Sequence, residues 1–144
     1  MRVVDTTAIF GVFCRRFGVP LIDGGTVRLQ KVIGLGRAMD MILTGRAVDA
    51  NEALAFGLAN RVVPKGKALE EAMELARSLL GFPPKCMQTD LVSAHYSAFE
   101  ARDLEDALRF EFDRAREVVA SESVKGAGRF DKGEGRGGKF TGKL

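Results

Sequence analysis

The sequence predicts an α/β chain in which a few short strands and short helices come first and long helices follow. Through Pro64, short β-branched and aromatic runs alternate with glycine- and proline-punctuated turns, the pattern of brief strands and brief helices. Beyond it, apolar residues recur at i, i+3, i+4 and i+7, the pattern of amphipathic helices. The chain is 46% hydrophobic and 28% charged, the balance of a folded domain and too apolar for a disordered one.

In order, "RVVD" at 2–5 and "IFGVF" at 9–13 read as strands, rich in Val, Ile and Phe and separated by polar residues. "GVPLIDGG" at 18–25 is irregular, broken by Pro20 and the Gly24–Gly25 pair. Asp23 and Thr26 are both good helix N-cap types. Val27, Leu29, Val32 and Ile33 then give a short amphipathic helix that Gly34 ends. Gly36 to Leu43 reads as another, burying Ala38, Met39, Met41 and Ile42 and stopping at Gly45. "DANEALAFG" opens on Asp49, has Glu52 three residues later and stops at Gly57, a capping box around two turns. "NRVV" before Pro64 is the last strand candidate.

The second half is helical. Leu69, Ala72, Met73, Ala76, Leu79 and Leu80 form one stripe, broken at Gly81 and Pro83–Pro84. Lys85 to Ala94 is a further helix, and Leu104, Ala107, Leu108, Phe112, Ala115 and Val119 make a stripe over four turns. Arg102/Asp106 and Glu105/Arg109 are opposite charges at i, i+4 on its wet face. Phe110 lies off that stripe, which suggests contact with a partner chain. From Lys125 the last twenty residues hold seven glycines and read as extended or mobile unless held.

The net charge of +3 is unevenly placed. Residues 125–144 carry six Lys or Arg against Asp131 and Glu134, while the preceding 124 residues carry 16 basic and 17 acidic side chains. Attraction to polyanions therefore belongs to the tail. The two cysteines, Cys14 and Cys86, lack CxxC spacing and read as reduced thiols, and with one histidine, His95, a zinc site is not expected. No apolar run approaches the roughly 18 residues of a membrane span. The first ten residues hold no leader pattern, which favours the cytoplasm, or the mitochondrion if an upstream segment is missing.

Four short strands cannot make a self-sufficient sheet, so the chain reads as the later part of a larger α/β structure. That impression sharpens on one ungapped set of residues. Phe10, Gly11, Gly18, Pro20, Gly24, Gly25, Thr26, Arg28, Leu29, Ile33 and Gly34 begin it. Arg37, Ala38, the run 41–46, Ala50, Glu52, Ala53, Gly57, Leu58, Arg61, Val62, Val63 and Pro64 continue it. This pattern resembles the second half of the enoyl-CoA hydratase/isomerase family, the crotonases. "KGAGRF" and "KFTGK" resemble the family's C-terminal tail. The resemblance implies a crotonase-like ββα superhelix over 1–64, a helical trimerisation region over 65–124 and a glycine-rich basic tail over 125–144. It also implies a homo-oligomer, a trimer or a dimer of trimers, acting on acyl-CoA thioesters, with coenzyme A as part of the substrate and no separate cofactor.

Family members bind the thioester oxygen with two backbone N–H groups, donors worth about 3 kcal/mol each as charge develops. The resemblance places both donors, and the first catalytic glutamate, ahead of Met1, so little or no activity is expected of this chain alone. The second glutamate falls on Cys14. A thiol is a weak acceptor with an ordinary pKa of about 8.5 and cannot orient water as a carboxylate does. Cys14, expected to line the pocket where that glutamate would stand, reads either as a nucleophile, if Arg15 and Arg16 lower its pKa, or as a buried or half-buried thiol on a strand. Asp23 reads either as a general acid or base, one position after the place where some members keep an acid (here Ile22), or as a helix N-cap.

Pro20, Leu21 and Ile22 are the expected substrate contacts, with Phe130 and Lys139 or Lys143 near the coenzyme A of a neighbouring subunit. Arg28 and Arg46 read as structural, pairing with carboxylates or helix C-termini. His95 and Tyr96 read as packing or surface residues, since neither has an identifiable catalytic partner. The alternative function is a non-catalytic assembly or RNA-binding module: "GRGGKF" resembles one arginine–glycine triplet of RNA-binding segments.

Overall fold

The computed structural model describes residues 1–135 and 137. The chain divides into two compact units, Met1–Leu75 and Ala76–Leu144.

In the first unit, β1 (Val3–Asp5) pairs in parallel with β4 (Arg61–Val63), Val4 standing opposite Val62. A parallel pair needs a long crossover, and everything between supplies it. β2 (Ile9–Phe10) pairs antiparallel with β3 (Val48–Asp49). Three helices lie between and after them: α1 (Gly25–Ile33), α2 (Leu35–Thr44) and α3 (Ala50–Phe56). The core gathers Ile33, Ala38, Met41, Val48, Ala53, Leu58 and Ala59, with Val4, Phe10, Leu29, Ile42 and Phe56 packed around them. Small alanines at fully buried positions let the short helices approach closely.

Local chemistry sets the joints. Asp49 accepts the Glu52 N–H at 2.8 Å and Gly57 closes α3 in the left-handed conformation, so the N-cap half of the expected capping box forms, while the Glu52 carboxylate is taken by Arg46. Arg46 clamps α2 to α3, its guanidinium donating to Asp40 at 2.8 Å and to both oxygens of Glu52 at 2.8 and 2.6 Å. These bonds raise the Arg46 pKa and lower that of Glu52. Asp5 accepts from the N–H and hydroxyl of Thr7 and, across 61 residues, from the Gly66 N–H at 2.9 Å, which holds its carboxyl below the usual range.

Helix α4 (Ala68–Leu79) carries the chain into the second unit. There α5 (Pro84–Phe99) and α6 (Leu104–Val118) pack as a helix hairpin, and a π-helical turn, Val119–Ser123, leads into α7 (Val124–Asp131). Tyr96 stacks on Phe110, ring centroids 3.8 Å apart, and its hydroxyl donates to Asp106 at 2.9 Å. Asp106 also accepts from the Arg102 backbone and guanidinium, so its pKa falls to about 2. Pro83 cannot cap α5 with its side chain; Glu122 does so from the π-turn, accepting from Lys85 N–H at 3.3 Å and Cys86 N–H at 2.9 Å.

Several expectations change. "IFGVF" is a strand only at Ile9–Phe10, because β3 offers two residues of partner; Phe13–Phe17 turns into a 3-10 helix. Asp23 does not cap α1. The chain enters that helix through Gly24 at φ 76°, a left-handed geometry natural to glycine, and no side chain caps it. Met39 is exposed rather than buried, lying off the face that Ala38 and Met41 present to the core. Phe110 meets Tyr96 of its own chain. The residues from Val124 to Asp131 are helical, since extending a formed helix avoids the cost of nucleation. Lys139 and Lys143, and most of the RNA-like "GRGGKF" segment, lie outside the described residues.

Candidate functional site

The stretch that carries most of the sequence-predicted site residues wraps the C-terminal end of α2. The 3-10 turn Phe13–Phe17 ends at Gly18 in the left-handed conformation, and Val19 N–H returns to the Cys14 carbonyl at 3.2 Å. Arg16 ties the turn to α2, its Nε donating to the Gly45 carbonyl at 3.1 Å while its guanidinium lies over the Phe13 ring. Gly45 is required twice. Its φ is 59°, and a Cβ there would meet the Val12 carbonyl at 3.2 Å and the Arg15 Cβ at 3.5 Å.

This docking leaves a cavity of about 210 Å3. Val12 and Arg15 border it from the turn, and Gly18, Val19, Pro20 and Leu21 form the next wall. Thr26 of α1 and Ile42 and Leu43 of α2 close it. Pro20 and Leu21, expected as substrate contacts, do line it. Ile22 does not; its side chain is 81% exposed. Cys14 is half-buried on the 3-10 turn, between two lining residues in sequence but not itself in the lining. Asp23 is exposed; its backbone carbonyl accepts from Arg28 Nη2 at 2.5 Å, and its carboxylate has no hydrogen bond among the described residues. Arg28 therefore secures the start of α1 rather than a carboxylate or a helix C-terminus.

The remaining candidates sit in the second unit. His95 lies tilted against Phe99, ring centroids 5.9 Å apart, and Tyr96 is committed to Asp106, which raises its phenol pKa. Phe130 is exposed near the end of α7. The Cys86 thiol stands 3.9 Å from the Asp90 carboxylate; desolvation, Asp90 and Glu122 push its pKa up, so it stays protonated. No cluster of metal-ligating side chains occurs among the described residues, and none of their helices is long and apolar enough to cross a membrane.

Sequence reasoning missed Thr26, Ile42 and Leu43 as cavity walls. The signal was weak: Ile42 belongs to the apolar stripe of α2, but only the Gly45 joint shows that the end of α2 faces the turn. Glu122 was missed as a cap because its partner lies 36 residues away.

The comparisons bear on this geometry. A family model described as enoyl-CoA hydratase/isomerase matches residues 1–143. A protein described as a probable enoyl-CoA hydratase in Rhizobium meliloti is 36% identical over 125 residues, covering 85% of this chain and 47% of that protein. A short-chain-enoyl-CoA hydratase of Clostridium acetobutylicum is 29% identical over 127 residues, 88% of this chain and 48% of that one. Among solved structures, the enoyl-CoA hydratase of Bacillus anthracis superposes with a TM-score of 0.81 at 27% identity, covering 98% of this chain and 54% of that one. One from Geobacillus kaustophilus gives 0.82 at 30%, covering 99% and 53%. The chain spans about half the length of the relatives it matches.

Proposed function

Because this chain belongs to the enoyl-CoA hydratase/isomerase family, we propose that it contributes one wall of a site for acyl-CoA thioesters. The reaction at that site passes through a thioester enolate whose oxygen is held by backbone N–H donors. The observation that carries the reading is the cavity bounded by Gly18–Leu21 and the end of α2, whose lining includes Gly18, Pro20, Thr26, Ile42 and Leu43 of the family pattern. An acyl chain occupies it, and the coenzyme A portion runs outward, toward Phe130 and Lys139 of a neighbouring subunit.

In this proposal Asp23, a solvated carboxylate on the turn next to Pro20–Ile22, moves the proton, and Cys14 stands where hydratases keep their second glutamate. A thiol there, on the turn between the lining residues Val12 and Arg15, does not activate water as a carboxylate would. The donors align ahead of Met1 by resemblance, so residues 1–144 bind thioesters without turning them over. The helices assemble copies of the chain: on α6, Leu104, Leu108 and Phe112 are 74%, 56% and 67% exposed, a stripe suited to burial against another helix.

The test uses the whole chain with crotonyl-CoA. Retention on immobilised coenzyme A, with no change in the enoyl thioester absorbance, is the expected result. Fast turnover would overturn the placement of the donors. Retention on RNA alone, lost steeply with salt, would replace the acyl-CoA reading with nucleic-acid binding.

A further inference from the structure

We infer that the acyl group received by the Gly18–Leu21 cavity ends in a carboxylate, and that Arg15 binds it. This rests on the acyl-CoA reading above and narrows it to thioesters of dicarboxylic acids.

The inference begins with one unmatched charge. Arg15 is the single charged residue among those lining the cavity; Val19, Pro20, Leu21, Ile42 and Leu43 give it an apolar interior. Other arginines of this unit are committed. Arg16 holds the Gly45 carbonyl, Arg28 the Asp23 carbonyl, Arg37 the Phe56 carbonyl and ring, and Arg46 two carboxylates. The Arg15 guanidinium has no hydrogen bond or ion pair among the described residues. Its neighbour Arg16 performs the structural task of fastening the turn to α2, so Arg15 is not needed for it.

A saturated or monoenoic acyl chain would leave that guanidinium hydrated at the edge of the cavity. A chain with a distal carboxylate would satisfy both parts of the lining at once. Its methylenes meet the valine, leucine and isoleucine walls, and its carboxylate accepts two parallel N–H bonds from the planar guanidinium. A coenzyme A phosphate would also attract Arg15. The cavity argues for the acyl end, because at about 210 Å3 it is smaller than the roughly 300 Å3 at which sites for larger organic ligands begin.

Calorimetric titration of the whole chain with glutaryl-CoA, butyryl-CoA and free coenzyme A tests this. Glutaryl-CoA is expected to bind about tenfold more tightly than butyryl-CoA, the gain of one charge-assisted pair at a solvated site. Arg15→Met should abolish that gain and leave butyryl-CoA within about twofold of its original affinity, while Arg15→Lys retains part of the gain. Equal affinity for the two thioesters overturns the inference and leaves the acyl-CoA reading standing. An equal loss for all three ligands in Arg15→Met assigns the guanidinium to a phosphate and also overturns it. Binding of none of them defeats the acyl-CoA reading itself, and this inference with it.

Discussion

The two units are stabilised in opposite ways. Among the described residues, every buried apolar one lies between Ile33 and Ala59, in the first unit, whereas in the second only Ser93 is buried. The first unit owns a core. The second is drawn together by directional polar contacts, the Tyr96–Asp106–Arg102 cluster and the Glu122 cap, and turns its leucine and phenylalanine stripe outward. A helical pattern of apolar residues therefore marks a face that will be covered, without saying whether the same chain covers it.

The contrast breaks most directly by truncation. Met41→Ala, at a side chain only 2% exposed, should cost about 2–5 kcal/mol in denaturant unfolding, transfer and cavity terms together. Leu108→Ala should cost within about 0.5 kcal/mol at high dilution, since the residue is already solvated. If α6 meets a second copy, the Leu108→Ala cost grows as protein concentration rises, because assembly stabilises by mass action. Sedimentation over the same concentration range reports that assembly. A large Leu108→Ala cost at every concentration would mean that the second unit has a core of its own.

How much of this was legible in the sequence follows the range of the interaction responsible. Asp49 and Gly57 specify the two ends of α3 within nine residues and the structure agrees, while the Glu52 side chain goes to Arg46 instead of back to the cap. The strand at "IFGVF" failed because its length is set by β3, thirty-nine positions on, which supplies two residues only. Asp23 failed as a cap because Gly24, at a left-handed φ, takes the N-cap position instead, and nothing in the residue types distinguishes that entry from an ordinary one. Phe110 looked unpartnered because its partner, Tyr96, lies on the other arm of the hairpin. At the site, Pro20 and the Gly24–Gly25 pair mark the turn in the sequence, but that Ile42 and Leu43 face it, and the isolation of Arg15, depend on how α2 docks against it.

A smaller effect sharpens the polar side of the comparison. Asp106 has its pKa lowered from 3.8 to about 2 by Arg102 and Tyr96. A carboxyl depressed on folding contributes stability that is present above its unfolded pKa and lost as pH falls through the folded one. The hairpin should therefore weaken between about pH 4 and pH 2, where other carboxyls also titrate. Asp106→Asn isolates the contribution: asparagine still accepts from the Arg102 N–H and the Tyr96 hydroxyl but carries no charge to lose. Helical melting followed by circular dichroism should show the variant less stable than the parent at pH 6, and the gap closing by pH 2. A gap that stays constant across that range would mean that the Asp106 contacts act through shape alone, and that the second unit does not depend on charge where the first depends on its core.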